Sequence, residues 1–183
     1  MRKLLPILLS ALMFTGCTGT SNNQPNTYRQ ISMEEAVAMM AEETGYIILD
    51  RILYTSTHYP ANYGFIPRTF GDDGDPLDVL LLCAESLEPM SLVRAYPIGV
   101  ITMIDNGRFD EKIIAIPFND PNYNQYTSID QLPKHVFEEM RHFFSVYKNL
   151  EGKETAVDEV KGRDDAVRII SDSLDSYIKA FCK

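Results

Sequence analysis

The chain has 183 residues, 45% of them apolar, which suits one compact domain and leaves no room for two full ones. Its formal net charge of −9 argues against a nucleic-acid partner, and a polyanionic substrate would need metal ions to supply the missing positive charge. Three cysteines, Cys17, Cys83 and Cys182, share no metal-ligand spacing and make no disulfide framework.

The start reads as an export signal at residues 1–17. Arg2 and Lys3 precede an apolar stretch from Leu4 to Phe14, too short to span a bilayer and interrupted by Pro6. Phe14-Thr15-Gly16-Cys17 resembles a bacterial lipobox, which implies lipidation at Cys17. Residues 18–27, rich in Ser, Thr, Asn and Gly, form a flexible tether. Ser32 with Glu35 then makes a capping box, and Met33, Ala36, Val37 and Met40 follow at helical spacing. Gly45 is placed to stop that helix, and Tyr46 to Leu49 reads as a strand.

The most unusual stretch is Asp72-Asp73-Gly74-Asp75-Pro76-Leu77-Asp78, running into Val79-Leu80-Leu81-Leu82-Cys83. Its four carboxylates repel one another and are tolerable only beside cations. Gly74 permits a tight turn, Pro76 stiffens it, and the apolar run reads as a strand buried on both faces. Carboxylates held rigidly at the lip of such a strand suit a hard cation such as Mg²⁺. Cys83, closing the run, reads as a small buried hydrophobe.

Leu92 to Asp105 and Lys112 to Pro117 are predicted strands joined at Asn106-Gly107, a strong turn signal. Asp105 and Asp110 flank that turn and can stand near each other at one sheet end. Phe118 to Asp130 is a polar loop. Pro133 opens a helix with Val136, Phe137, Met140, Phe143, Phe144 and Tyr147 on one face. A last helix, about Asp164 to Phe181, is expected to bury Val167, Ile170, Leu174 and Ile178. His58, His135 and His142 are too scattered to suggest a metal site.

Taken together, H-Y-P-A-N-Y-G-F-I-P from His58, D-G-D-P-L-D from Asp73, D-N-G-R-F-D-E-K from Asp105 and Tyr147-Lys148 resemble the family I soluble inorganic pyrophosphatases. The resemblance covers about residues 49–183. It implies an α+β fold, a small five-stranded OB-type β-barrel with flanking C-terminal helices. It implies Mg²⁺-dependent hydrolysis of pyrophosphate to two orthophosphates by a metal-activated water. Asp73, Asp78 and Asp110 would carry the activating ions, Asp105 would help hold a further one, and Asp75 would be the general base. Arg51, Lys112 and Lys148 would hold phosphoryl oxygens, with Tyr63 and Tyr147 donating hydrogen bonds to the same oxygens. A homo-hexamer is the oligomer the family suggests.

The sequence departs from that pattern at its start. Residues 28–48 are similar instead to the opening strand, helix and strand of a rhodanese-like domain. Val37 and Met39 stand where the family carries a Lys and a Glu of its active site. A catalytically impaired relative that binds metal and phosphate is therefore the alternative function. A sulfurtransferase role is a weaker third, because no C-x₄-R-type loop exists in the chain. The location implied is the cell envelope, held by a lipid anchor if the signal is processed, and the cytoplasm otherwise. Wild-type protein is expected to partition into a detergent phase and Cys17→Ser into the aqueous phase. Soluble wild-type protein with an intact Met1 would exclude the anchor.

Overall fold

A computed structural model describes residues 49, 51–105 and 107–182. The signal, the tether, the 28–48 segment, Cys17, Val37 and Met39 lie outside the described residues. The chain divides into two compact units, Met1–Asp50 and Arg51–Lys183.

Among the described residues the second unit has six strands and two α-helices, besides two short 3₁₀ turns: β1 (Asn62–Phe65), β2 (Asp78–Leu81), β3 (Ala95–Asp105), β4 (Arg108–Phe109), β5 (Lys112–Pro117), α1 (Lys134–Val146), β6 (Thr155–Gly162) and α2 (Arg163–Phe181). Five strands pair in the order β1-β2-β5-β3-β6, with the two-residue β4 hairpinned onto the end of β3. Only β2 and β5 run parallel; the other pairs are antiparallel. This is the expected α+β arrangement of a small sheet followed by helices. No helix among the described residues is long and apolar enough to cross a membrane.

Strand β5 lies at the middle, and every one of its residues is buried. Successive strand side chains point to opposite faces, so its sequence Ile113-Ile114-Ala115-Ile116 serves two cores. Ile114 and Ile116 join Leu80, Ile98, Ile101 and Met103 beneath Met140, Phe143, Phe144 and Tyr147 from the α1 region. Ile113 and Ala115 join Leu77, Leu81 and Val100 beneath Ala166 of α2. Each large apolar side chain so enclosed contributes about 1.5–3 kcal/mol.

Helix α1 follows its expected face. Met140, Phe143 and Phe144 are buried within it, Tyr147 is buried at its C-cap, and Val136 and Phe137 pack at the edge. Helix α2 has the expected span but a rotated face. Ala166 and Ser173 are its buried residues, with Ile169 and Ile170 partly buried, while Val167, Leu174 and Ile178 are exposed. The small side chains let the helix lie close to β3 and the Val100, Ile113 and Ala115 surface. A periodicity argument that ranks residues by size selects the wrong phase here. Cys83 is half-buried just beyond β2, and the Leu82 amide still donates to the Ala115 carbonyl at 2.9 Å.

Two strands are not legible in the sequence pattern. Strand β1 holds only four residues, three of them exposed. Strand β6 carries an extra residue against β3: Ile101 pairs with Val160 but Met103 pairs with Val157. That bulge puts Val157 and Val160, three apart, against the same core, so the alternation that marks a strand is broken. Strand β3 has its own bulge between Pro97 and Gly99, where a missing proline N–H is tolerated. A Cβ on Gly99 would lie 2.5 Å from Ile129 Cγ2 and 2.7 Å from the Lys161 carbonyl oxygen. Gly99→Ala is therefore expected to destabilise by about 1–3 kcal/mol. The measurement is a lower urea midpoint at unchanged m-value.

Candidate active site

The register of the sheet assembles the site. Asp78 opens β2 and lies directly beside Lys112, which opens β5. On the other side of β2, Tyr63 pairs with Leu80, one diagonal step from Asp78. Alternation then puts Tyr63, Asp78, Leu80, Lys112 and Ile114 on one face, above the larger core. The apolar members fill that core, and the polar ones meet at its rim. The Lys112 Nζ donates to Asp78 Oδ2 and to Asp110 Oδ1, both at 2.5 Å, and the Tyr63 hydroxyl donates to the same Asp78 oxygen at 2.5 Å. Lys112 is only 3% exposed, with its ammonium 5.7 Å from the Tyr63 ring centroid and 5.8 Å from that of Phe144.

Burial alone would lower the Lys112 pKa, but Asp78 and Asp110 outweigh it and hold the ammonium above the ordinary lysine value. One ammonium cannot neutralise every carboxylate around it. Burial raises the Asp110 pKa, Lys112 opposes that, and Asp78 and Asp73 add to it. Tyr63 is 41% exposed overall, yet desolvation at the rim and then Asp78 hold its phenol well above the ordinary tyrosine value, so it remains a proton donor.

Next to this cluster stands a second one. Asp105 ends β3, and Lys148 follows Tyr147 after α1. The Lys148 Nζ donates to Asp105 Oδ2 and lies 5.1 Å from the Tyr147 ring centroid. Asp105 Oδ1 is buried without a hydrogen-bond partner among the described residues. Burial and then Asp105 raise the Tyr147 pKa, so this phenol too stays protonated. Arg51 approaches from the unit's first residue, its Nη1 3.7 Å from Glu151 Oε2.

Tyr59, a residue that sequence reasoning misses, bridges the two clusters. Its ring centroid is 4.6 Å from that of Tyr63 and 4.8 Å from that of Phe143. Burial raises its pKa, while Lys112, Arg51 and Lys148 all act to lower it. The three cations therefore bear on one phenol. The available signal is its place four residues before Tyr63 in the H-Y-P-A-N-Y stretch.

The acidic loop is fastened by its own backbone. The Gly71 amide donates to the Asp75 carbonyl at 2.8 Å, and the Asp75 amide donates to Asp73 Oδ1 at 3.1 Å. Gly74 has φ of 95°, a conformation other residues rarely adopt, and a Cβ on Gly71 would lie 2.9 Å from Asp73 Oδ1. From β4, Arg108 Nη1 donates to the Asp73 carbonyl at 3.0 Å. Asp75 is exposed. A cleft of about 10 Å³ between loop and sheet is lined by Asp73, Asp78, Asp110 and Glu111.

That donor set fits a hard divalent cation: carboxylate oxygens around a space for one small occupant, plus the orphaned Asp105 oxygen nearby. Among the described residues no three Asp, Glu, His or Cys side chains converge tightly enough to hold a metal as they stand. The geometry gives the reason, since the Lys112 ammonium itself sits between Asp78 and Asp110.

Sequence comparison decides the family. The inorganic pyrophosphatase family model matches residues 30–178. The chain belongs to the family I soluble inorganic pyrophosphatases. It is 48% identical over 136 residues to soluble inorganic pyrophosphatase 2 of Chlamydomonas reinhardtii, covering 74% of this chain and 71% of that protein. It is 50% identical over 136 residues to soluble inorganic pyrophosphatase PPA1 of Solanum tuberosum, covering 74% and 64%. The solved inorganic pyrophosphatase of Helicobacter pylori superposes with a TM-score of 0.71 at 39% identity, over 74% of this chain and 82% of that one. The fold is thus the OB-type α+β fold of those enzymes. The family match reaches back to residue 30, before the first described residue.

Among the candidate catalytic, binding and metal residues, Asp73, Asp78, Asp110, Lys112 and Tyr63 meet at one rim, and Asp105, Tyr147 and Lys148 form the neighbouring cluster. Arg51 stands at the edge with Glu151, and Asp75 lies on the exposed side of the loop. Glu111, also unforeseen, is half-buried; burial and then Asp110, Asp72 and Asp73 raise its pKa against a backbone hydrogen bond. A raised folded-state carboxyl pKa means the ionised form costs stability once pH exceeds the ordinary carboxylate value. Glu111→Gln is therefore expected to raise Tm near neutral pH in chelator. The gain should disappear at pH values well below the ordinary carboxylate range, where both side chains are neutral.

Proposed function

We infer that the protein hydrolyses inorganic pyrophosphate to two orthophosphates. The observation that carries this is the alternation of buried cations and carboxylates across one rim: Asp110, Lys112, Asp78, then Lys148 and Asp105. An anionic ligand alone would need only the lysines, and a metal alone only the carboxylates. Together they suit a polyanion that arrives with divalent cations. Identities of 48% and 50% to soluble pyrophosphatases support turnover over the impaired alternative.

In this reading Lys112, Lys148 and Arg51 hold phosphoryl oxygens as fixed cations, and Lys112 and Lys148 each exchange a carboxylate partner for the substrate. Tyr63 and Tyr147, both held protonated by their surroundings, donate to those oxygens. Tyr59 closes the apolar wall between them. Asp73, Asp78 and Asp110, with Asp105, would hold Mg²⁺, which neutralises the anion and acidifies water. Asp75, on the exposed side of the loop, takes the proton of the attacking water. The Asp75 amide's bond to Asp73 Oδ1 ties the base to the metal-binding carboxylate.

Further proposals concern the assembly and the chain's start, and they rest on sequence. The domain limits are 49–183 for the enzyme and 28–48 for a rhodanese-like fragment. A lipid on Cys17 would anchor the protein in the cell envelope, and a homo-oligomer, a hexamer by family resemblance, would be its working form.

Phosphate release from pyrophosphate is expected to require added Mg²⁺ and to stop in chelator; full activity in chelator would overturn the metal role. Asp75→Asn is expected to reduce kcat about 10²-fold or more with divalent-cation binding retained in calorimetry. Loss of cation binding in that variant would make Asp75 a ligand and not the base.

A further inference from the structure

Glu151 has no part in the metal, base or phosphoryl-binding roles, yet its placement is unusual. Its side chain is 10% exposed, and Oε1 is buried with no hydrogen-bond partner among the described residues. Its other oxygen lies 3.3 Å from Lys153 Nζ and 3.7 Å from Arg51 Nη1. A buried carboxylate with half its acceptor capacity unspent is a poor stabiliser, since burial penalises the charge and few hydrogen bonds compensate it.

The backbone around Glu151 shows what it connects. Lys148 caps a short 3₁₀ turn, Asn149–Glu151, and the Lys148 carbonyl accepts from both the Glu151 amide at 3.0 Å and the Lys153 amide at 3.3 Å. Gly152, with φ of 70°, closes the turn in a conformation that other side chains rarely adopt. The peptide unit that carries Lys148 is thereby locked to the residue that contacts Arg51. These two cations lie about a hundred residues apart in sequence.

We propose that Glu151 is a positioning residue of the active site: it ties the Arg51 guanidinium to the turn that carries Lys148, and so fixes the spacing of two phosphoryl-binding cations. The proposal rests on the pyrophosphatase reading for what those cations bind. Lys153, 44% exposed, balances the carboxylate from outside and is not itself part of the link.

The experiment is a double-mutant cycle on the full chain with Glu151→Gln, Arg51→Ala and both together. KM and kcat for pyrophosphate are measured alongside the calorimetric Kd for inorganic phosphate. Glu151→Gln, close in shape, is expected to raise KM and the phosphate Kd about 3- to 10-fold, between the effect of an exposed pair and that of a buried one, with kcat within about 2-fold. In the Arg51→Ala background it is expected to add nothing. An equal penalty in both backgrounds, or a fall in kcat with KM unchanged, would overturn the proposal. If Glu151→Gln fails to fold by melting analysis, Glu151→Asp takes its place in the same cycle, and additivity there overturns the proposal equally. Wild-type protein without pyrophosphate hydrolysis would sink the functional reading, whereas the phosphate Kd cycle would still report on Glu151.

Discussion

The buried ammonium of Lys112 is the interaction on which the rest of the site depends. It sits at the head of the most enclosed strand, with two aromatic rings near its ammonium and two carboxylates bonded to it. Remove it, and Asp78 and Asp110 would both lose their buried cation, leaving Asp78 with the Tyr63 hydroxyl alone. Keep it, and burial still holds the Asp110 carboxyl above its ordinary value, with Asp78 and Asp73 adding to the shift. Added positive charge would favour the ionised carboxylates there, which accords with the proposed binding of a polyanion that arrives with divalent cations.

The supporting structure serves this rim at several removes. The parallel pairing of β2 with β5 puts Asp78 beside Lys112, so one register fixes the pair. Glycines bring the acidic loop into contact range, because Gly71 lies against Asp73 and Gly74 takes the left-handed turn. Helix α1 presents Met140, Phe143 and Phe144 to the core and then ends, delivering Tyr147 and Lys148 to the rim beside Asp105. The aromatic contacts of Tyr59 with Tyr63 and Phe143 join the two clusters through packed rings.

The asymmetry between the helices shows how packing decides what periodicity leaves open. In α1 the largest apolar residues are also the buried ones, because the large core needs volume. In α2 the same reasoning fails, since the fully buried positions are the small Ala166 and Ser173, with Ile169 and Ile170 only partly buried beside them. Strand β6 fails differently. Its bulge places Val157 and Val160 on one face, which no alternation rule would select.

The sequence by itself determined the chemistry. Four carboxylates in the D-D-G-D-P-L-D stretch, a buried strand behind them and scattered lysines and tyrosines at family spacing sufficed to name the family and the candidate residues. These are local or pattern-borne signals, carried by residue type and separation along the chain. Only the tertiary structure decided which of those residues touch. That Lys112 lies between Asp78 and Asp110, that Tyr59 and Glu151 join the constellation, and that Asp105 keeps one oxygen unpaired all depend on contacts between distant segments. Such contacts are set by sheet register, bulges and close packing, which act between strands and leave no fixed spacing in the chain to read.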